Sequence, residues 1–401
     1  MLLSFEDAAA TVREKLAEAG PLPGQEIIPW HEALGRVLWE DVLADRDYPP
    51  FDRATRDGYA VRSPDLTSAE TVLRCMGEAR AGKPFEGQLK PGQCVEIMTG
   101  APVPAGAGAV VMVEDTEAKG LDVRVLRKVA AGENILRGGS EAARGAVVLR
   151  RGQRLRSSSL GLLASVGRSR VAVFRRPAVA VISTGDEVVP CDRQPEWFQI
   201  REGNAAMLAP EILSAGGVPR QIGIAPDEKA SLRQMTREAF QTDLVTLSGG
   251  VSAGKYDLVK DVLAELGAEF FFDSVALRPG KPLVFGRAMG KFFFGLPGNP
   301  ASTLVTFRLF TRAAIAMLGG ERFEAPILLR ARLVATIRQK GGLTRFLPAR
   351  MEMRDGEASV TPVPWQGSGD LTGLAAANCF VVAHPEQTEL VAGSWVDVWP
   401  E

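Results

Sequence analysis

"RRPAVAVISTGDEVV", residues 175–189, carries five consecutive apolar residues, Ala178 to Ile182, into a turn of small, polar and acidic ones. An unbroken apolar run has no side to offer water. It therefore reads as a strand covered on both faces, the setting of a parallel sheet. Downstream, residues 205–215 have helical spacing, 218–227 ("VPRQIGIAPD") read as strand and loop, and 228–240 as a polar helix. "DLVTLSGG" (243–250) reads as strand and turn, and the helix in "DLVKDVLAELG" (257–267) has Leu258, Val262, Leu263 and Leu266 on one face. "KPLVFGR", "KFFFGLPGNP" and a long helix over 301–318 complete the span. Strands alternating with helices imply a three-layer αβα domain with a mostly parallel sheet. Right-handed crossovers would collect its polar turns on one edge, where such sheets bind ligands.

Around this centre the pattern differs. "SFEDAAATVREKLAEAG" predicts a first helix with Ser4 as N-cap and Gly20 as its stop. From about 45 to 140 the chain is strand-like and turn-rich, a small β domain. From about 325 the period returns to two, as in "ARMEMR" and "WVDVW", which predicts a second β domain, barrel-like. A chain of 401 residues exceeds one ordinary core, which agrees with several domains.

Composition narrows the chemistry. A net charge of −1 argues against nucleic-acid binding, which needs a basic face. The start "MLLSFEDAAA" has no basic n-region, and no apolar run approaches a membrane span, so a cytoplasmic protein is expected. Cys75, Cys94, Cys191 and Cys379 are scattered without a CxxC pair and read as reduced thiols. With only His31 and His384, a His-based zinc site or Ser-His-Asp triad is nearly excluded. Catalysis must then use carboxylates, Lys and Arg, hydroxyls, backbone dipoles and a hard cation such as Mg²⁺.

Four polar turns fall on the expected ligand edge. "STGDE" (183–187) brings Thr184, Gly185 and Glu187 to the end of the first strand, although a plain turn would use the same residues. "SGGVSAGKYD" (248–257) gathers Ser248, Gly249, Gly250, Ser252 and Asp257 ahead of a helix, which suits a phosphate; the Walker order is absent. "RPGKP" (278–282) sets Arg278 and Lys281 about a Pro-Gly turn, either as an anion clamp or as solvated charge. "GLPGNP" (295–300) is stiffened by Pro297 and Pro300, with Asn299 as a plausible N-cap. In the first β domain, Thr99 stands in "MTGAPVPAGAGAVVMVE" (98–114), and Asp57 stands before Gly58 in "PPFDRATRDGYAVRS" (49–63). Read singly, the second could be an interdomain linker. Read together, these segments offer a phosphate cradle, a cationic clamp and carboxylates (Asp57, Glu187, Asp227, Asp257) able to hold a hard cation. They imply a Mg²⁺-assisted reaction on a phosphate-bearing ligand and leave that ligand unnamed.

The six motifs "PPFDRATRDGYAVR", "MTGAPVPAGAGAVVMVE", "STGDE", "SGGVSAGKYD", "RPGKP" and "GLPGNPAS", in this order and spacing, closely resemble the molybdopterin molybdenumtransferase family. The E domain of gephyrin belongs to it. The resemblance extends to "QGSGDLTGLAAANCF" (366–380) and so covers essentially the whole chain. It implies a Mg-dependent insertion of molybdate into adenylylated molybdopterin with release of AMP, a step of molybdenum cofactor biosynthesis. It implies an N-terminal helix (1–24) on the αβα domain, an extended linking domain (25–45 and 141–174) and a β domain inserted into it (46–140). The αβα molybdopterin-binding domain (175–322) and a C-terminal β-barrel domain (323–401) follow. A homodimer with a shared cleft and transient contact with a molybdopterin adenylyltransferase are also implied, with no nucleic acid and no membrane.

Carried over residue by residue, the resemblance makes Asp57, Thr99, Glu187, Asp257 and Lys281 catalytic, the first two reaching the cleft from the partner's β domain. Thr184, Gly185, Asp227, Ser248, Gly249, Gly250, Ser252, Pro297, Asn299 and Pro300 would bind the pterin and its phosphate. Arg278, Lys281, Ser368 and Arg350 would hold molybdate, and Glu187, Asp227 and Asp257 would hold Mg²⁺. The chain departs from the family pattern at Arg56, which takes an apolar place, at Glu141, and at Arg278, where Lys is common. Pro348 stands where some members have an oxyanion-binding arginine, leaving Arg345 or Arg350 as substitutes. A different reaction on the same αβα fold is the alternative, either molybdopterin adenylylation or nucleotide pyrophosphate cleavage, with a non-catalytic scaffold behind it. The flanking segments favour the transferase.

Overall fold

The computed structural model describes residues 2–66, 70–251, 258–322, 327–354 and 356–400. Helix α1 (Phe5–Ala19) begins where the Ser4 hydroxyl accepts the Asp7 N–H and ends at Gly20, whose φ of 70° few other residues tolerate. Its Ala8, Val12 and Leu16, spaced by four, are buried in the core of the αβα domain. Phe5 meets Phe310 edge-on there at 5.8 Å.

The linking region is built from two separate stretches of chain. Gln25–Pro29 pairs antiparallel with Arg170–Phe174, and Val42–Leu43 with Val147–Leu149. The excursion between them forms a six-stranded sheet from β1 (Gly58–Val61), β2 (Thr71–Ala79), β3 (Gln93–Ile97), β4 (Ala109–Met112), β5 (Thr116–Lys119) and β6 (Asp122–Val125). Its order is β4-β1-β3-β2-β6-β5. Gly58 is fixed by close packing: a Cβ there would lie 1.8 Å from the Val111 carbonyl oxygen, on a φ of +156°. Gly58→Ala is therefore expected to destabilise the protein by more than about 3 kcal/mol, since a backbone oxygen on a paired strand cannot yield as a side chain can. Gly161, inside helix α2 (Ser157–Ser165), has open space about it, and Gly161→Ala should be neutral or stabilising. Thermal denaturation of the two variants measures the contrast.

The αβα domain follows the alternation read from residue 175. Its strands are β7 (Ala178–Thr184), β8 (Val218–Ala225), β9 (Leu244–Ser248), β10 (Glu269–Phe272), then the short β11 (Leu277–Arg278), β12 (Val284–Ala288) and β13 (Lys291–Leu296). The main sheet runs β8-β7-β9-β13-β12-β10; the first four are parallel and β12 runs against its neighbours. Helices α3 (Asn204–Ser214), α4 (Lys229–Ala239) and α5 (Leu258–Glu265) cover it, with Val259, Val262 and Leu263 buried from α5. Helix α6 (Pro300–Thr306) continues through a π-helical turn at Phe307–Thr311 into α7 (Arg312–Leu318). Among the described residues this Pro300–Leu318 run is long and apolar enough to cross a membrane, but most of it is buried in the core.

The C-terminal strands β14 (Leu329–Leu333), β15 (Thr344–Arg354), β16 (Glu357–Pro362), β17 (Cys379–Ala383) and β18 (Trp395–Pro400) close into a barrel. The ring runs β15-β16-β14-β18-β17 and back to β15. Strand β11 of the preceding domain pairs in parallel with β15, setting Arg278 opposite Arg345. This pairing, with the short helix α8 (Leu371–Ala376) on α6, seats the barrel beside the ligand edge of the sheet.

Candidate active site

The C-terminal ends of β7, β8, β9 and β13 open into a cavity of about 750 Å³. Strand ends supply Ser183, Thr184 and Ser248, and the turns beyond them supply Gly185, Glu187, Asp227, Gly249, Gly250, Pro297, Asn299 and Pro300. Arg278 and Lys281 enter from the "RPGKP" turn, and Leu343, Trp365, Gly367 and Ser368 from the C-terminal domain. The parallel sheet thus places its ligand edge where α/β sheets do, with the barrel as the facing wall.

The glycines are dictated by crowding. A Cβ on Gly249 would sit 2.8 Å from the Thr184 carbonyl and hydroxyl oxygens, and one on Gly250 would sit 2.6 Å from Val259. Both have positive φ, 97° and 66°. The Gly249 N–H already donates to the Leu296 carbonyl at 3.1 Å; among the described residues the Gly250 amide has no acceptor, and the Ser248 oxygen accepts from Asn204 Nδ2 while its O–H proton can still donate to a phosphate. The Thr184 hydroxyl is buried and has no hydrogen-bond partner among the described residues, a polar atom that a ligand would satisfy.

Glu187 and Asp227 face the cavity, and neither carboxylate has a hydrogen-bond or ion-pair partner among the described residues. Gly185 makes room for the first: a Cβ there would lie 2.3 Å from Glu187 Oε2. Asp186 holds the second in place, its Oδ1 accepting the Asp227 N–H at 2.9 Å. Two carboxylates and a hydroxyl lining one cavity are hard oxygen donors of the kind that suits Mg²⁺. No cluster of three or more His, Cys, Asp or Glu occurs among the described residues. Asp257, the third expected ligand, and Ser252 lie outside them.

The cationic side is equally free. Arg278 and Lys281 are exposed to the cavity without an ion-pair partner among the described residues. Gly280 presses the turn onto α6, where a Cβ would meet Thr306 at 2.4 Å. Asn299 occupies the N-cap position of α6 but does not cap with its side chain; its Nδ2 donates to the Ser368 hydroxyl at 3.0 Å, tying the two domains across the cavity rim.

Arg350 is not brought to this site. It is exposed and paired with Glu352 at 3.1 Å. Residues an odd number apart on a strand face opposite ways, so Arg345 and Arg350 on β15 cannot both turn to the clamp. Arg345 is the one opposite Arg278: its Nε is buried without a partner among the described residues, and burial together with the Arg278 charge holds its pKa below the usual arginine value. Glu141 is occupied by Arg53 at 3.0 Å, and Arg56 is exposed. Neither histidine takes part; His384 pairs with Asp397 in the barrel.

Asp57 and Thr99 meet each other but do not line the cavity of their own chain. Asp57 Oδ1 accepts both the Thr99 hydroxyl, at 2.7 Å, and the Thr99 N–H, at 2.6 Å. These bonds lower the Asp57 pKa from the ordinary carboxylate value. Two segments 42 residues apart are thereby joined into one exposed acidic point.

The sequence reading missed Glu202 and Asn204. Asn204 Nδ2 donates to the Ser248 hydroxyl at 2.8 Å and the Gly298 carbonyl at 2.7 Å, while its Oδ1 is buried without a partner among the described residues. Glu202 Oε1 accepts the Ser183 hydroxyl and the Ala205 N–H at the start of α3. The available signal was an acid and an asparagine directly before a helix, a capping pattern.

Three family models match consecutive parts of the chain. They are "MoeA N-terminal region (domain I and II)" over residues 3–167, "Probable molybdopterin binding domain" over 180–317, and "MoeA C-terminal region (domain IV)" over 330–400. A molybdopterin molybdenumtransferase of Haemophilus influenzae is 35% identical over 395 residues, 97% of each chain. The chain belongs to the molybdopterin molybdenumtransferase family. The Bacillus subtilis member is 35% identical over 366 residues, 89% of this chain and 85% of that one. Among solved structures, the molybdopterin biosynthesis protein moeA of Pyrococcus horikoshii superposes over the full length of both chains with a TM-score of 0.83 at 27% identity. A second structure from that source, at 32% identity, covers 100% of this chain and 99% of its own with a TM-score of 0.77.

Proposed function

We propose that this molybdenumtransferase uses its cavity to insert molybdate into adenylylated molybdopterin with release of AMP. The observation that carries the reading is the joint presence, in one cavity, of a glycine-crowded phosphate turn, two unpartnered carboxylates and two unpartnered cations. The Gly250 amide and Ser248 hydroxyl bind the substrate's phosphate, and Arg278 and Lys281 hold molybdate beside it. The dithiolene sulfurs bond to molybdenum, and their two protons leave with one molybdate oxygen as water. A water molecule adds to phosphorus, the bridging P–O bond breaks, and AMP departs. Glu187 and Asp227, with Asp257, would hold a Mg²⁺ ion that neutralises charge on the departing phosphate. The histidine-poor composition fits, since no step calls for an imidazole.

The active form is a homodimer in the cytoplasm, with the partner subunit's Asp57 and the partner subunit's Thr99 completing each cleft. Two features support this: the pair lies outside its own chain's cavity, and the linking region exposes Ile27, Trp30, Leu34, Leu43 and Val147, apolar side chains that a second copy would cover. The adenylyltransferase that supplies the substrate would make only transient contact. The test is AMP release by the purified protein with adenylylated molybdopterin, Mg²⁺ and molybdate. Release above the blank is expected, and its absence refutes the reading.

A further inference from the structure

Where the linking region meets the αβα domain there is a small recess of about 10 Å³, room for one oxygen-sized atom. It shares no residue with the cavity described above. Arg36, Arg154, Arg175 and Arg176 line it, and no acidic side chain does among the described residues. Three of these guanidiniums are held by acids that stand behind them. Arg36, only 8% exposed, donates to Glu26 at 2.6 Å and to the Phe174 carbonyl at 3.0 Å. Arg154 grips Glu321 and donates to the Gly35 and Ala215 carbonyls at 3.0 and 3.1 Å. Arg175 takes Asp243 with both terminal nitrogens, at 2.7 and 2.8 Å, and Lys291 lies 3.7 Å from that same carboxylate.

Arg176, exposed at the rim, has no hydrogen-bond or ion-pair partner among the described residues. Five cations thus share three carboxylates. Burial, with the charges of Arg36 and Arg154, holds the Arg176 pKa below the usual arginine value. Partly buried charges of one sign call for a counter-charge. We infer that the recess and its rim bind a small tetrahedral oxyanion of the inorganic phosphate or sulfate kind. One oxygen fills the recess, and the others face the planar fork of Arg176, which matches two oxygens of such an anion. The recess is too small to admit a ring, so the site takes the free anion. Arg36 and Arg154 belong to the linking region and Arg176 leads into β7, so the anion pins that region to the αβα domain. This inference does not depend on the transferase reading.

The test is calorimetric titration with inorganic phosphate in a chloride-free zwitterionic buffer at constant ionic strength. Arg278→Gln/Lys281→Gln protein is used, to weaken oxyanion binding in the first cavity. Adding Arg176→Gln should remove one phosphate site per subunit or weaken it at least tenfold, and sulfate should behave as phosphate does. Without phosphate, Arg176→Gln should melt no lower than its parent, since it loses a repelled charge and no partner. With phosphate, the midpoint of the parent should rise with concentration and that of the variant should rise less. In an otherwise wild-type chain, Arg176→Gln should leave the rate of AMP release unchanged. Equal phosphate stoichiometry and affinity with and without Arg176→Gln overturns the assignment. So does a weaker dimer in the Arg176→Gln protein without any loss of phosphate binding, which would make a carboxylate of a second copy the missing counter-charge.

Discussion

Asp227→Asn is expected to slow AMP release at least about 100-fold, a barrier increase of about 2.7 kcal/mol. The substitution keeps the size of the side chain and removes only the charge. Among the described residues the Asp227 carboxylate has no partner to release, and its loop is held by Asp186 through its backbone N–H, which asparagine retains. The fold should therefore survive, with an unchanged denaturation midpoint. Divalent-cation affinity by calorimetry should fall with the rate. A variant that releases AMP at the wild-type rate would remove Asp227 from the chemistry.

Mixing two dead subunits should restore activity. Asp57→Ala and Asp227→Ala homodimers are each expected to be inactive. If each cleft takes Asp57 from one subunit and Asp227 from the other, a heterodimer has one cleft with both lesions and one with neither. Random exchange then recovers about a quarter of the wild-type AMP release, because half of the dimers are mixed and each has one intact cleft. A cleft built within one subunit recovers nothing on mixing. The Thr99 bonds add a signature in pH. They hold the Asp57 pKa below the ordinary value, so its charged form is lost only as the pH falls through that lower value. Thr99→Val removes the hydroxyl donor and should raise the Asp57 pKa, moving the acid limb of the activity to higher pH.

What the sequence disclosed divides along physical lines. The αβα domain was legible because a buried parallel strand is an unbroken apolar run, and β7 shows that pattern from Ala178 to Ile182. Helix α1 was legible because its cap and stop, Ser4 and Gly20, are local signals. The turns at 183–187, 248–250, 278–282 and 295–300 could be named one by one, yet only the folded sheet brings them to one cavity. Asn299 shows the limit of local reading: it stands where a cap belongs, but its side chain bonds Ser368, 69 residues away. Arg345 and Arg350 looked interchangeable in sequence; strand register separates them, since it sets Arg345 opposite Arg278 and leaves Arg350 with Glu352. Glu202 and Asn204 escaped notice because their partners, Ser183, Ser248 and Gly298, are remote in the chain.

If the Arg278 and Lys281 clamp and the Glu187 and Asp227 carboxylates serve one reaction, a molybdate titration of AMP release separates their roles. Wild type, Arg278→Gln and Asp227→Asn are compared from limiting to saturating molybdate. Arg278→Gln should need at least about tenfold more molybdate for half-maximal release and then approach the wild-type rate, having lost a charge-assisted contact to the anion. Asp227→Asn stays slow at every concentration. An unshifted molybdate dependence in Arg278→Gln, or recovery of Asp227→Asn at high molybdate, would contradict that division of roles.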